Sequence, residues 1–160
     1  MSELMINVSI VEDDAKLRDT MVRYLSAQAG LRCASTYPNA EAALADIPRV
    51  RPHVVLMDIN LPGMNGVECV RKLKQLLPAT QVVMLTAYED TDNIFNALKA
   101  GANGYLLKRT PRAELMAALR DVHAGGSPMT THIARKVVLS FQKPAVATVP
   151  VASFKPQRPS

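Results

Sequence analysis

Apolar runs of strand length and amphipathic stretches of helix length alternate five times along the chain. The most apolar run is Val54–Met57, in which no polar residue interrupts the pattern. Such a strand is typical of a parallel sheet with helices on both faces. The alternation therefore predicts an α/β fold, a doubly wound parallel sheet. Asn7 and Ser9 make the first strand half-polar, so these side chains are expected either to reach solvent or to find hydrogen-bond partners.

Single residues predict several helix boundaries. Asp14 and Asp90 are expected to cap the first and fourth helices, because their carboxylates can accept hydrogen bonds from free N–H groups of the first turn. The second helix is expected to run from about residue 39 to residue 47 and to stop at Pro48. Thr110 is expected to be the N-cap of the fifth helix, with Pro111 at its first helical position.

The pattern changes after the Gly-Gly pair at 125–126. One further amphipathic helix is predicted by apolar residues at fourfold spacing, namely Ile133, Val137 and Phe141. From residue 143 onward, prolines divide the sequence into pieces too short for a helix, which predicts an extended tail. We therefore expect a globular domain at 1–125, a connector helix at 126–142 and a Pro-rich linker or tail at 143–160.

Size and composition allow one domain with an ordinary hydrophobic core. The chain has 160 residues, of which 48% are hydrophobic. Its net charge of +5 lies entirely in the C-terminal part, because residues 1–121 contain 14 basic and 14 acidic side chains. A basic tail is compatible with an anionic partner such as nucleic acid, but charges this sparse are more typical of a solvated linker.

Cysteine, histidine and hydropathy patterns restrict the compartment and the kind of metal site. Cys33 and Cys69 lie 36 positions apart, which suits buried free thiols in a reducing compartment better than a zinc or redox pair. The three histidines are scattered and give no support to a His-based metal site. The sequence shows neither a run of membrane-spanning length nor a secretion signal, so a cytoplasmic protein without membrane contact is expected.

Chemically useful side chains follow four of the predicted strands at the points where the strands end. Asp58 comes directly after the most apolar run, and Glu12 and Asp13 come directly after an earlier one. Thr86 and Lys108 end two later runs. Parallel strands present their carboxyl ends at one edge of the sheet, where open α/β sheets bind ligands. These side chains are therefore expected to meet around Asp58.

Carboxylates brought together in this way repel one another and call for a cation. The repulsion amounts to about 4 kcal/mol per pair at a separation of about 4 Å and an effective dielectric constant of about 20. Oxygen ligands without nearby His or Cys favour Mg²⁺ or Mn²⁺. Asp13 and Asp58 are the expected direct ligands, with the Asn60 main-chain carbonyl as a third and Glu12 as a water-mediated neighbour. Asp58 is then a candidate nucleophile toward phosphorus, with Lys108 and the Thr86 hydroxyl near the phosphoryl oxygens.

Each residue also has an ordinary structural interpretation. The acidic run at 12–14 could simply favour the start of a helix. Lys108 alone fits a surface lysine, Thr86 a β-branched strand residue and Tyr105 a core aromatic. The functional interpretation rests on the coincidence of complementary charges at four strand ends. The lack of G-x-G-x-x-G and G-K-[ST] argues against a dinucleotide or P-loop site.

Four segments together resemble the response-regulator receiver domain of bacterial two-component signalling. They are VEDD at 11–14, LMDINLPGMNG at 56–66, LTA at 85–87 and GYLLK at 104–108. The resemblance covers roughly residues 4 to 124 and implies a flavodoxin-like (βα)5 fold with strand order 2-1-3-4-5. The resemblance implies that Asp58 is the phosphoacceptor and that Glu12 and Asp13 are the acidic pair. It also implies that Thr86 is the switch hydroxyl, Tyr105 the switch aromatic and Lys108 the phosphate-contacting lysine.

The resemblance further implies how the domain would work. A sensor histidine kinase would supply the phosphoryl group, and the chain would catalyse only its own phosphoryl transfer and dephosphorylation. Phosphorylation would draw Thr86 inward, and Tyr105 would turn into the vacated space. The altered face would include the helix after Thr86, the Tyr105 strand and the helix after Pro111.

Finer detail resembles the NarL/FixJ branch. Arg109 follows Lys108 where many receivers have a cis proline, and GGSP at 125–128 with the following helix looks like that branch's junction to an output domain. The branch normally continues into a DNA-binding helix-turn-helix, which this sequence does not contain. We expect a receiver plus linker from a longer transcription regulator that would reach DNA only through the missing domain. A stand-alone receiver acting by protein contact, and a homodimer, stay open.

Two other classes of protein start from similar residues. A phosphohydrolase of the haloacid-dehalogenase type also uses an Asp at a strand end, but it needs an acid two positions later, where this chain has Asn60. A flavin-binding module of the same topology is disfavoured by the acidic pocket. Steady turnover of a phosphate ester would support the first alternative, and a bound yellow cofactor the second.

Overall fold

A parallel sheet forms the centre of the molecule in the computed structural model, which describes residues 5–87 and 90–142. Its strands run in the order β2-β1-β3-β4-β5, and they are β1 Ile6–Val11, β2 Leu31–Tyr37, β3 Val54–Met57, β4 Gln81–Thr86 and β5 Gly104–Leu107. The helices between and after them are α1 Ala15–Ser26, α2 Ala40–Val50, α3 Gly66–Leu76, α4 Thr91–Ala100, α5 Arg112–His123 and α6 Thr131–Gln142. This order confirms the predicted flavodoxin-like fold with an additional C-terminal helix.

The sheet separates two hydrophobic clusters. Val54 and Leu56 of β3 belong to the cluster under α1 and α5, whereas Val55 and Met57 belong to the cluster under α2, α3 and α4. Successive residues of a strand point to opposite faces of the sheet. All four side chains are buried because helices cover both faces. The prediction that this run is a strand covered on both faces is confirmed.

The polar residues of β1 have found hydrogen-bond partners. The Ser9 hydroxyl is fully buried and lies 2.7 Å from the Ser35 hydroxyl of β2. The Asn7 side-chain oxygen accepts a hydrogen bond from Arg32 Nε at 3.0 Å. A central strand can therefore carry polar residues here, since the neighbouring edge strand supplies matching groups.

The expected end of the second helix was wrong. Helix α2 continues through Pro48 to Val50 and ends at Arg51, whose φ of 52° lies in the left-handed region. Pro48 stands in the last turn, so the missing N–H removes only one late helical hydrogen bond. The helix then closes through the Arg51 N–H, which donates to the Ile47 carbonyl at 2.8 Å.

The predicted caps were correct for two helices and wrong for one. The Asp14 carboxylate accepts from the N–H groups of Lys16 and Leu17, and the Asp90 carboxylate accepts from Asp92. At α5, however, the N-cap position belongs to Pro111 and no side chain caps the helix. Thr110 is not the cap, because its hydroxyl pairs with that of a residue after α5.

The C-terminal part agrees with the predicted helix as far as the structure describes it. Ile133 of α6 is fully buried, whereas Phe141 is 79% exposed. The predicted tail at 143–160 lies outside the described residues, and the division into three segments stays a prediction. Both cysteines are free, Cys69 buried and Cys33 only half-buried. Among the described helices, none combines the length and apolar character that crossing a bilayer requires.

Candidate functional site

The carboxyl ends of β1 and β3 bring two acidic residues together. The two strands pair directly, and the Asp58 N–H donates to the Val11 carbonyl at 3.1 Å. Glu12 follows Val11 and is anchored from the other side, because its N–H donates to the Tyr37 carbonyl of β2 at 3.0 Å. Glu12 and Asp58 are only 2% and 4% exposed. Main-chain pairing thus fixes both carboxylates in a nearly buried position.

Asp13 completes an acidic cluster. One carboxylate oxygen from each of Glu12, Asp13 and Asp58 lies within 4.8 Å of the others. The cluster opens into a pocket of about 260 Å³ that is also lined by Asp14, Asn60, Ala87 and Lys108. Glu12 and Asp58 form its buried floor and Asp13 its exposed rim. The arrangement offers carboxylate oxygens to a small cation, which fits the expected preference for Mg²⁺.

Lys108 supplies a positive charge to this cluster. Its Nζ atom lies 3.0 Å from an oxygen of Asp58 and 3.0 Å from an oxygen of Glu12. Burial opposes the lysine charge, but the hydrogen bonds and attraction to Glu12 and Asp58 outweigh it and raise the pKa of Lys108. The ammonium is therefore held in the charged form that the acidic cluster requires.

The pKa of Glu12 is raised above its ordinary value, chiefly by burial. The Asp14 N–H and the Lys108 ammonium stabilise the Glu12 anion, but less strongly than burial disfavours it, and the Asp58 charge adds repulsion. A further positive charge in the pocket would therefore stabilise the ionised form of Glu12.

The loop after Asp58 is held close to its carboxylate and backbone. The Asn60 N–H donates to Asp58 Oδ1 at 3.2 Å, and the Gly66 N–H donates to the Ile59 carbonyl at 2.8 Å. A Cβ atom on Gly66 would lie only 2.1 Å from the Asp58 carbonyl oxygen. On the outer side, the Met64 N–H donates to Glu41 at 3.0 Å. These contacts fix where Asp58 points.

Thr86 and Tyr105 lie on neighbouring strands, as expected. Strands β4 and β5 are parallel, with Thr86 opposite Leu107 and Met84 opposite Tyr105. The Lys108 N–H donates to the Thr86 carbonyl at 2.8 Å, so the backbone at the end of β4 is tied to the residue that carries the ammonium. Both Thr86 and Tyr105 are fully buried. Burial raises the pKa of the Tyr105 phenol, and the charges of nearby carboxylates add to this effect.

The acidic run at 12–14 divides between the start of a helix and the pocket. Asp14 caps α1, whereas Glu12 and Asp13 turn into the pocket. Sequence reasoning included Ala87 in the LTA segment without giving it a place in the pocket, which it lines directly after Thr86. It missed Arg18, whose guanidinium donates to the Glu12 carbonyl at 2.6 Å. Ala87 carries no chemical signal of its own, but its position after a strand end could have indicated it.

The pocket is lined by the five predicted residues Glu12, Asp13, Asp58, Asn60 and Lys108, whereas Thr86 ends β4 at the same edge of the sheet without lining the pocket. Comparison with known proteins decides the family. The family described as the response regulator receiver domain matches residues 8–120. The chain belongs to this family. Receivers are not a family of catalytic enzymes, so the phosphohydrolase alternative is not supported, and the predicted resemblance is confirmed.

Two curated relatives show the branch of receivers to which the chain is similar. The response regulator GacA of Pseudomonas viridiflava is 34% identical over 146 residues, which cover 91% of this chain and 68% of the relative. The DNA-binding transcriptional activator DevR/DosR of Mycobacterium tuberculosis is 30% identical over 153 residues, covering 96% of this chain and 70% of the relative. The chain spans 57% of the length of the transcriptional regulatory protein DegU of Brevibacillus brevis and 70% of the length of DevR/DosR.

A solved structure supports the same placement. A two-component response regulator of the LuxR family from Aurantimonas sp. SI85-9A1 superposes with a TM-score of 0.82 at 26% identity. The match covers 87% of this chain and 99% of that one. These homologues are regulators of the LuxR/NarL type, which agrees with the predicted similarity to the NarL/FixJ branch.

Proposed function

We propose that Asp58 of this receiver accepts a phosphoryl group from a sensor histidine kinase. The observation that carries the proposal is the clustering of carboxylate oxygens of Glu12, Asp13 and Asp58 within 4.8 Å of one another. The Lys108 ammonium lies 3.0 Å from both Glu12 and Asp58. A nearly buried carboxylate at a strand end, with an open pocket in front of it, is suited to attack a small electrophile. Family membership implies a cognate kinase.

The pocket residues fit a divalent cation, Mg²⁺ or Mn²⁺. The carboxylates of Asp13 and Asp58 would be direct ligands, with the Asn60 main-chain carbonyl as a third and Glu12 acting through water. The fit rests on the donor set, which offers three clustered carboxylates to a hard cation. When bound, such an ion would neutralise negative charge on the oxygens of the phosphoryl group during its transfer. Asp58 would remain available to phosphorus through one oxygen.

The transfer itself needs positioning more than acid–base chemistry. An Asp58 oxygen forms the new bond to phosphorus while the bond between phosphorus and the donor's leaving group breaks, and the leaving group keeps the bonding electrons. The Lys108 ammonium, already within 3.0 Å of Asp58, would hold one phosphoryl oxygen. The Thr86 hydroxyl would hold another. Each contact is worth more in the buried pocket than in water.

Thr86 and Tyr105 are the proposed switch pair. A Thr86 hydroxyl drawn toward the phosphoryl group leaves space next to Tyr105, which lies on the adjacent strand. Moving a two-state equilibrium from mostly off to mostly on requires about 5.5 kcal/mol of differential stabilisation. Several charge-assisted contacts formed together would supply it. A Tyr105 ring that keeps one rotamer with and without a phosphoryl mimic would remove this part of the proposal.

The biological output is proposed from the relatives. DevR/DosR and GacA are named as regulators, and DevR/DosR as a DNA-binding transcriptional activator. We propose that this receiver likewise controls transcription in the cytoplasm, through a DNA-binding output domain and with homodimer formation as a step. The alternative is a receiver that signals by protein contact alone. DNA binding that increases when the protein is phosphorylated would support transcription control, whereas phosphorylation without any change in DNA binding would support the alternative.

Intact mass measurement tests the central proposal. Incubation with acetyl phosphate and Mg²⁺ is expected to add one phosphoryl group to the wild type and none to Asp58→Ala. The control is Asp19→Ala, which removes an exposed carboxylate from α1 and should leave uptake unchanged. A mass gain that survives Asp58→Ala would assign the phosphoryl group to another acceptor.

A further inference from the structure

Two histidines meet at the amino edge of the sheet, opposite the edge that carries the acidic pocket. His53 directly precedes β3, and His123 is the last residue of α5. Their rings lie edge to face, with 4.9 Å between the centroids and 69° between the planes. Although the two residues are far apart in the sequence, the fold thus makes them a pair of titratable groups outside the acidic pocket.

His53 joins the starts of β1 and β3 through two reciprocal hydrogen bonds, which we call the histidine latch. The His53 N–H donates to the Asn7 carbonyl at 2.9 Å, as in an ordinary strand ladder. In return, the Asn7 N–H donates to Nδ1 of the His53 ring at 2.9 Å. The His53 carbonyl also accepts a hydrogen bond from the Gln81 N–H of β4 at 3.0 Å. One residue therefore ties three neighbouring strands together.

The latch requires a neutral ring. A ring nitrogen that accepts a hydrogen bond carries no proton, so the neutral His53 ring holds its proton on Nε2. A proton added to Nδ1 would point at the Asn7 N–H, and one donor would then face another. Protonation of His53 therefore takes the acceptor away from a main-chain N–H group at the start of a central strand.

Packing against His123 opposes this protonation. Burial lowers the pKa of His53 below its ordinary value of 6.5, and the charge of a protonated His123 lowers it further. The carboxylate in the same turn of α5, that of Asp121, lies beside Gly126 instead. Because its pKa is lowered, His53 contributes stability above the ordinary value, and this contribution is lost as the pH falls through the folded pKa. Acid therefore acts against the latch.

The other charged groups around the latch are basic. Arg51 lines a pocket of about 260 Å³ together with His53, and Lys74 donates to a carbonyl in the wall of that pocket at 2.8 Å. From β2, Arg32 Nε donates to the Asn7 side-chain oxygen at 3.0 Å. Among the described residues, no carboxylate forms an ion pair with His53. A charged His53 ring would therefore gain no compensating partner there.

We infer that the histidine latch is operated by protons: neutral His53 holds the start of β1 against β3, and the protonated ring releases Asn7. Only hydrogen bonds change, and no covalent bond forms or breaks. Both rings keep an exposed part, so protons from solvent can reach them. The released segment is short, because the next rung of the ladder pairs Val8 with Val54, which are both fully buried. Opening is therefore local and leaves the domain folded.

The latch gives the receiver a response to acid that is separate from the acidic pocket. Asn7 and His53 stand at the starts of the two strands whose carboxyl ends lead into Glu12 and Asp58. Release of Asn7 needs no phosphoryl group, so the response is expected in a protein that carries none. Histidine titrates between about pH 5 and about pH 8, and acidification within that range would open the latch.

Nuclear magnetic resonance of the full chain tests the latch without any substitution. The carbon-bound ring protons of His53 report its protonation, and the Asn7 amide proton reports the hydrogen bond. Relative to the intrinsic rate at the same pH, we expect Asn7 amide exchange to accelerate about threefold to tenfold between about pH 7.5 and about pH 5.5. The Asn103 N–H, which donates to the Val82 carbonyl at 2.7 Å, should keep its protection.

A matched set of substitutions separates proton sensing from packing. In His53→Asn the side-chain oxygen can replace Nδ1, because both atoms are bonded to Cγ, but it does not titrate. Protection of Asn7 should then be equal at both pH values. His53→Ala removes the acceptor and should leave Asn7 unprotected at both. His132→Asn makes the same change at an exposed position on α6 and should behave like the wild type.

A further variant, His123→Asn, tests the pairing of the two rings. Loss of the neighbouring ring removes burial and repulsion together, so the pKa of His53 is expected to rise towards its ordinary value. The change in Asn7 exchange should move to higher pH with it. A His53 titration that stays the same in this variant would contradict the pairing.

The latch is overturned if Asn7 exchange is the same at both pH values in the wild type although His53 is protonated at the lower one. An acid response that persists in His53→Asn would assign it to another group. Simultaneous loss of protection at Asn103 would show that the whole edge unfolds. None of these results depends on phosphoryl uptake by Asp58, so the latch and the proposed function can fail separately.

Discussion

The Nζ atom of Lys108 lies 3.0 Å from a carboxylate oxygen of Asp58, although the two residues are 50 positions apart in the chain. The same atom contacts the buried carboxylate of Glu12. Without another cation, this ammonium is the positive charge that the described pocket residues supply to their own carboxylates. Lys108 and a bound cation would therefore both neutralise the negative charge of these carboxylates.

Lys108→Met is expected to destabilise the metal-free protein. Removing one partner of a buried charge pair leaves the other uncompensated, and we expect the free energy of unfolding to fall by about 1–3 kcal/mol, since Lys108 keeps some exposure. Mg²⁺ should then stabilise the variant more than the wild type. Urea denaturation with EDTA or Mg²⁺ measures both effects. Lys99→Met, at an exposed position on α4, is the control and should change stability by about 0.5 kcal/mol or less. Equal stability of Lys108→Met and wild type in EDTA would contradict the assigned role.

The raised pKa of Glu12 predicts a specific pH dependence. A carboxyl group whose pKa is higher in the folded than in the unfolded state favours folding while it is protonated, and this contribution is lost as the pH rises through the folded pKa. Wild type should therefore lose stability relative to Glu12→Gln when the pH rises from below the ordinary value of 4.5 to 7. Urea denaturation of both proteins in EDTA at the two pH values measures the difference. A constant difference between them would show that burial does not control this group.

The two glycines Gly66 and Gly30 should respond differently to alanine. At Gly66 a Cβ atom would meet the Asp58 backbone at 2.1 Å, whereas at Gly30 it would meet open space and only the φ of +82° is unfavourable. We expect Gly66→Ala to cost about 3 kcal/mol and to slow phosphoryl uptake. Gly30→Ala should cost about 1–2 kcal/mol and leave uptake unchanged. Thermal unfolding and intact mass measure the two properties, and normal uptake by Gly66→Ala would contradict the close approach.

The Ser9–Ser35 hydrogen bond should show an asymmetric cost. Ser9 is fully buried and Ser35 only half-buried, so Ser35→Ala leaves the less accessible hydroxyl without its partner. We expect Ser35→Ala to cost about 1–3 kcal/mol and Ser9→Ala less. The double variant should cost less than the sum, because no orphaned hydroxyl remains. A double-mutant cycle by urea denaturation measures this, and strict additivity would rule the coupling out.

Local sequence patterns were sufficient for the parts of the fold that depend on local periodicity. The Val54–Met57 run predicted a strand covered on both faces, and the carboxylate directly after it predicted the place of the pocket. The reason is physical: burial on two faces demands an uninterrupted apolar run, and parallel strands must all end at the same edge. The roles of the pocket residues stay proposals.

The features that the sequence did not predict depend on contacts between distant segments. The hydroxyl of Thr110 was expected to cap a helix but pairs with Thr130, and Pro48 was expected to end a helix that continues past it. The contacts of Pro128 and Thr130 with Tyr105 are main-chain hydrogen bonds, which leave no side-chain signal. Tertiary contacts therefore decided these details over local preference.

The segment at residues 128–130, which pairs with Tyr105 of β5, also bears on how the folded chain avoids self-association. Within the described ranges, the sheet ends at β2 on one side and at β5 on the other, and residues 128–130 occupy hydrogen-bonding groups on the β5 side. Unpaired strand borders invite other chains to add strands and begin aggregates. A chain in which residues 128–130 leave β5 would expose such a border on both flanks, so lasting detachment of this segment should lower solubility.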